Sequence, residues 1–204
     1  MSAEASTPRP AATLVLLRRG GRHSSRGLEV LLARRTQAAR FMPGVWVFPG
    51  GSVDPAELAG HDEEEAHRIC AARELAEEVG IELPEPNELL PWSRWVTPEP
   101  VPIRFDTRFY VALAPPHARP EPDAAEITEV AWIAPAEALA RHERGDLELV
   151  FPTVKTLETL IDHPDAGAVL EAARRRVVEP ILPKVLGTRE DWRVVLPGDP
   201  DYPG

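Results

Sequence analysis

Cysteine is nearly absent from this 204-residue chain. Cys70 stands alone, which excludes an intramolecular disulfide and any zinc site built on a pair of thiolates. Long apolar runs are also missing: none approaches the roughly 18 residues that a membrane-spanning helix needs, and Met1 to Pro10 lacks the charged-then-apolar order of a secretion signal. These absences predict a soluble, cytoplasmic protein with no membrane partner. Positive charge is in deficit, with a formal net charge of -10. That argues against a general nucleic-acid binder, whose affinity comes mainly from neutralising phosphates. The six histidines show no ligand spacing and carry no assigned role. No internal repeat or second domain is visible, and a hydrophobic content of 43% is enough for one core.

What the chain does have is one sharply marked helix, expected from Asp62 to Val79. Asp62, Glu63, Glu64 and Glu65 put negative charge at the positive end of its dipole, and Gly80 follows as a left-handed stop. A solvated first turn accounts for those four acids better than a ligand role. At about 100° per residue, Ile69, Ala72, Leu75, Ala76 and Val79 fall within an arc of roughly 120°. Glu74, Glu77 and Glu78 fall almost directly opposite, with Arg73 the only nearby cation. Like charges at these spacings repel by a few tenths of a kcal/mol per pair, and a divalent metal would relieve them. Cys70 is expected to be a small packed residue of the helix.

The remaining pattern predicts a mixed sheet covered by helices on both faces, an α/β fold. Residues 1–10 read as a disordered tail, 11–178 as the folded domain and 179–204 as a proline-rich tail with one strand at Trp192–Leu196. Strands are expected at Ala12–Leu17, Leu28–Ala33, Val45–Phe48, Trp92–Val96 and Ile127–Ile133, and at Arg104–Leu113 with a single buried face. Helices are expected at Pro135–Arg144, Thr153–Ile161 and Ala166–Val177. Charge is uneven along the chain: Arg18, Arg19, Arg22, Arg26, Arg34, Arg35 and Arg40 share a segment whose only acid is Glu29. Such a stretch suits a small polyanion, since guanidinium recognises phosphate in bidentate fashion. A solvated surface accounts for about half of these arginines equally well.

Arg73-Glu74-Leu75, Glu77-Glu78 and Gly80-Ile81 match the second half of the Nudix hydrolase signature, and the chain resembles that family. Its first half is spaced out. Gly51 precedes Glu57 at the right interval, but fifteen residues instead of seven separate Glu57 from Arg73. Either an insertion around Leu58 to Glu65 divides the motif, leaving Glu57 as its first glutamate, or Glu65 fills that place with Ala59 where a glycine belongs. Glu57 is preferred because Gly50-Gly51 keep the loop. A second motif, Leu31-Leu32-Ala33-Arg34-Arg35-Thr36, Arg40, Gly44 and Phe48-Pro49-Gly50-Gly51, resembles the coenzyme A diphosphatase branch, departing only at Ala33 and Thr36.

The resemblance implies a Nudix-type α/β/α sandwich and hydrolysis of a nucleoside diphosphate linkage with Mg2+ or Mn2+. The implied substrate is coenzyme A or acyl-CoA. NADH, ADP-ribose or another nucleotide derivative is the alternative, and a non-catalytic nucleotide sensor is a further one. Glu74 and Glu78 are the implied metal ligands, joined by Glu77 and the Gly50 carbonyl. Glu74 and Glu77 are also catalytic candidates, and Gly51, Glu57, Arg73 and Gly80 shape the motif. Glu126 is the candidate general base, in competition with Asp123 and Glu129, and an exposed turn carboxylate is the plainer reading of it. Arg35 and Arg40 are candidates for holding the substrate. The implied partners are a small nucleotide diphosphate and, optionally, a second copy in a homodimer.

Overall fold

The computed structural model describes residues 6–20, 27–39, 42–187 and 191–203. Its centre is β1 (Arg9–Arg19), whose Leu14 and Leu16 are buried on one face and Val15 and Leu17 on the other. A strand covered on both sides reads as a continuous apolar run, and β1 does. Along one edge lies β6 (Phe105–Leu113), parallel to β1 over its full length. Along the other, β2 (Leu28–Arg35) pairs antiparallel only from Leu17↔Val30 to Arg19↔Leu28. Continuing that register would set Thr13 against Arg34. The two strands part instead: β3 (Trp46–Val47) pairs Trp46 with Arg34, and β4 (Gly50–Ser52) pairs Gly50 with Thr13. Residues 46–52 thus fill a wedge inside the sheet.

The sheet is extended by β5 (Leu90–Val96) beside β6 and by β7 (Ile127–Ile133) beside β2. One face is covered by α2 (Glu63–Val79), with the short α1 (Pro55–Gly60) packed against that helix. The other carries α3 (Pro135–Glu143), α4 (Phe151–Leu160) and α5 (Ala166–Arg175), whose Ala138, Leu157, Leu160, Val169 and Ala173 share a core with Val15, Leu17 and Val111. The expected mixed sheet with helices on both faces is therefore present. None of the helices is long and apolar enough to cross a membrane among the described residues.

Three expectations need correction. β6 has two buried faces rather than one: Tyr110 is fully buried beneath α2 and its hydroxyl donates to Glu64 at 3.1 Å. The expected tail at 1–10 gives way to strand by Arg9, where β1 begins and whose N–H donates to the Arg104 carbonyl at 2.9 Å, and residues 1–5 lie outside the described residues. Nor are residues 179–204 a tail with one strand. β8 (Pro180–Ile181) adds to the open edge of β5, where proline costs no ladder bond, and β9 (Lys184–Leu186) pairs with β10 (Arg193–Val195).

Candidate active site

α2 starts and stops as its sequence dictates. The Asp62 carboxylate accepts the Glu65 N–H at 2.9 Å, and Gly80, at φ 68°, donates its N–H to the Ala76 carbonyl. The acidic first turn is not merely solvated: Arg108 of β6 pairs with both Glu63 and Glu64. The last turn is closed by the loop ahead of β7, where Glu121 and Asp123 donate backbone N–H groups to the carbonyls of Val79 and Glu78. The Asp123 carboxylate in turn accepts the N–H groups of Glu126 and Ile127. One loop therefore caps α2 and fixes Glu126 near its end.

The three glutamates of α2 differ in depth. Glu77 is mostly exposed, the Glu74 side chain is 15% exposed, and Glu78 is buried. Glu78 lies two turns beyond Ala71 and shares its core-facing side, which the expected arc centred on Ala72 misplaces; Ile69 and Ala76, at one edge of that arc, are only partly buried. Cys70 and Ala71 occupy the core side instead. Glu78 Oε2 accepts the Gly50 N–H at 3.0 Å, which ties the helix to the wedge. Burial, set against that hydrogen bond and reinforced by Glu74, pushes its carboxyl up to about 8. Burial likewise raises Glu74, against the pull of Arg73. Glu126 adds to the negative field on both.

Arg73 is the organising cation. Its Nε donates to Glu57 Oε1 at 2.9 Å, Nη1 to Glu74 at 2.8 Å and Glu77 at 2.9 Å, and Nη2 to the Ser52 carbonyl at 3.2 Å. These bonds, that to Glu57 foremost, raise its pKa. Glu57 also accepts the Asp54 N–H at 2.7 Å, closing a capping box on α1. A short helix, α1, thus lies between loop and α2, and its third residue, Glu57, just ahead of the expected insertion, reaches back to Arg73. Glu65 faces His61 instead, at 3.1 Å. Cys70 is a buried, packed thiol: burial first, and then Glu57, push it up to about 12.

The glycines of the wedge are steric necessities. A Cβ on Gly50 would lie 2.7 Å from Thr13 Cα, and one on Gly51 would lie 2.5 Å from Glu74 Cδ. Gly51→Ala must therefore push the Glu74 carboxylate aside. We expect turnover to fall at least about tenfold, roughly 1.4 kcal/mol, with little change in melting temperature. A Gly51→Ala enzyme as active as the wild type would show that Glu74 need not sit against this backbone.

Of the other sequence candidates, Glu129 is committed to Arg34 at 2.6 Å and Asp123 to the backbone. The Glu126 carboxylate is exposed and makes no ion pair among the described residues. Arg35 is close enough to Glu78 to lower its pKa, and its buried Nε has no hydrogen-bond partner among the described residues. Arg40 lies outside the described residues, as do Arg22 and Arg26. Arg18 is spent on Glu29 at 2.8 Å. The capping loop at 121–123 was missed by sequence reasoning; a short polar turn carries no signal of its distant partner.

No three acidic, histidine or cysteine side chains among the described residues form a ready-made cation cage. Magnesium, however, keeps several waters and needs only one or two carboxylates. Two half-to-fully buried carboxylates with raised pKa values, and hard oxygen donors throughout, suit such an ion.

Comparison with known proteins places the chain. A NUDIX domain model matches residues 7–151. A putative nudix hydrolase 7 from Caenorhabditis elegans is 28% identical over 97% of this chain and 75% of its own. The acyl-coenzyme A diphosphatase NUDT19 of Gallus gallus is 25% identical over 86% and 73% respectively. The crystal structure of a NUDIX hydrolase from Alicyclobacillus acidocaldarius superposes with a TM-score of 0.71 at 28% identity, covering 81% of this chain and 96% of that one. A domain model that matches most of the chain, with a solved NUDIX hydrolase that shares its fold, places the chain in the Nudix family, as a hydrolase of nucleoside diphosphate derivatives.

Proposed function

We propose that the chain hydrolyses the diphosphate of coenzyme A or acyl-CoA to 3',5'-ADP and the corresponding 4'-phosphopantetheine. The observation that carries this reading is the position of Arg35. The Leu31 to Gly51 motif brings it beside Glu78 and Gly50, with a buried Nε that no group among the described residues satisfies. A donor left without a partner there suits a phosphate oxygen. The 25% identity to an acyl-coenzyme A diphosphatase supports the same substrate class.

Glu74 and Glu78 would hold Mg2+ or Mn2+, with Glu77 and the Gly50 carbonyl as further donors. When bound, the ion neutralises charge on the diphosphate and lowers the pKa of a coordinated water. The protein's own share is positional. Arg35 anchors a phosphate, Arg73 fixes Glu74 against Gly51, and Glu126 accepts the proton of the water that attacks phosphorus as the bridging P–O bond breaks. Asp123 holds Glu126 in place through its loop.

A panel of coenzyme A, acyl-CoA, dephospho-CoA, NADH and ADP-ribose, with product identification and a chelator control, tests this reading. Coenzyme A or its acyl esters should be the best substrates, and chelation should abolish turnover with little change in circular dichroism. Arg35→Ala should weaken coenzyme A use about tenfold to a hundredfold, the worth of one charged hydrogen bond. Preference for NADH or ADP-ribose would overturn the substrate assignment, and turnover that survives chelation would overturn the metal ligands.

A further inference from the structure

A cavity of about 470 Å3 opens from the wedge, within the size range of small-molecule sites. Gly50 and Arg35 line it where it meets the carboxylate site, and Arg35 is the only charged side chain on its walls among the described residues. Most of the rest is apolar, but neutral polar atoms without partners are set into it. Trp95 is 6% exposed, and its indole N–H has no hydrogen-bond partner among the described residues. Phe151 of α4, also on the wall, packs edge-on against its ring at 5.9 Å between centroids and fixes it in place. The side-chain hydroxyls of Thr13, Thr107 and Thr153 make no hydrogen bond among the described residues either, although Thr153 is buried. A buried donor with nothing to bind is costly, and an acceptor on a ligand relieves it.

We propose that this cavity receives the pantetheine arm of the substrate and leaves the 3'-phosphoadenosine half outside it. The inference rests on the coenzyme A reading for its substrate, and charge decides between that substrate's two halves. The adenosine half carries a 3'-phosphate, which cannot be buried without a cation of its own, and Arg35 is taken up by the diphosphate. The pantetheine arm carries no charge. Its dimethyl carbon follows one methylene after the phosphate oxygen and suits Val47 and Phe48, which line the cavity just before Gly50 in the chain. A hydroxyl and two amides come next along the arm. A threonine hydroxyl both donates and accepts and an indole N–H donates, so together they can satisfy those groups. Neutral polar atoms scattered over apolar walls thus match a chain that alternates the two.

4'-Phosphopantetheine and 3',5'-ADP, the two halves, are to be titrated calorimetrically against the full chain in magnesium. Trp95→Phe and Thr153→Val are the variants, each removing one polar group and little volume, with circular dichroism as the check on folding. At least one folded variant should weaken 4'-phosphopantetheine about twofold to tenfold, the worth of one neutral hydrogen bond, and neither should change the affinity for 3',5'-ADP. No binding of 4'-phosphopantetheine, an affinity for it that neither variant alters, or a weakened 3',5'-ADP in either variant would each overturn the proposal. These titrations need no catalysis, so the two readings fail separately. Variant-sensitive binding of 4'-phosphopantetheine without turnover of coenzyme A or acyl-CoA sinks the proposed function, whereas turnover with variants that weaken 3',5'-ADP sinks the cavity assignment.

Discussion

Glu78→Gln should cut turnover by at least about a hundredfold while making the metal-free protein more stable at neutral and alkaline pH. The catalytic loss follows from replacing a carboxylate by an amide, a poor ligand for a hard cation; each roughly 1.4 kcal/mol of lost transition-state stabilisation is a factor of ten. The gain in stability follows from burial. Glu78 is raised from 4.5 to about 8 in the folded state. Between those values the folded protein holds a proton that the unfolded chain has released, so wild-type stability falls as pH rises through this window. The loss approaches a few kcal/mol at the upper end, at about 1.4 kcal/mol per unit. Glutamine keeps the acceptor for the Gly50 N–H and has nothing to ionise. Thermal melts from pH 5 to 9 in chelator should therefore diverge, with the variant above the wild type at the alkaline end. Magnesium should then raise the wild type alone. A variant that melts with the wild type at every pH, or keeps near-normal turnover at limiting magnesium, would contradict the assignment. Leu75→Ala is the complementary control. Its fully buried side chain should cost roughly 2 to 5 kcal/mol and leave the ligands in place.

Arg73→Ala should lose as much activity but move stability the other way. It removes the bonds to Glu57, Glu74, Glu77 and the Ser52 carbonyl at once. The Glu57 side chain, only 10% exposed, would keep a single N–H donor, that of Asp54. Stranding a largely buried carboxylate costs on the order of 2 to 4 kcal/mol. The glycine loop and α1 would then be released from α2, and turnover should drop at least about a hundredfold from misplaced Glu74 alone. Arg73→Lys should rescue little, because one ammonium cannot reproduce a planar fork that spans several acceptors. An unchanged melting temperature in Arg73→Ala would mean that Glu57 does not anchor the loop.

Where the sequence spoke, it spoke through local rules. Asp62 and Gly80 mark the ends of α2 because capping chemistry is written in adjacent residues. The apolar runs of β1 and β2 announce strands because both faces are covered. The burial of Glu78 could not be read this way. It depends on the Gly50 N–H, twenty-eight residues earlier, which a helical wheel does not contain. The prolines around residue 180 suggested a tail, yet an open sheet edge accepts Pro180 without penalty. The basic segment divides for a related reason. Arg18 and Arg34 match the same pattern as Arg35, but Glu29 and Glu129 come to meet them from paired strands.

The place of β1 at the centre of the sheet also shapes how the chain reaches its fold. Ala11 to Leu17 is a seven-residue stretch with no charge, and its parallel partner β6 does not begin until residue 105. Until β6 arrives, the edge it covers is an open template for pairing between molecules, with the composition of aggregating segments. Arg18 and Arg19 stand directly behind it as charged gatekeepers. Refolding yield should therefore fall with protein concentration, and neutralising those two arginines should steepen the fall.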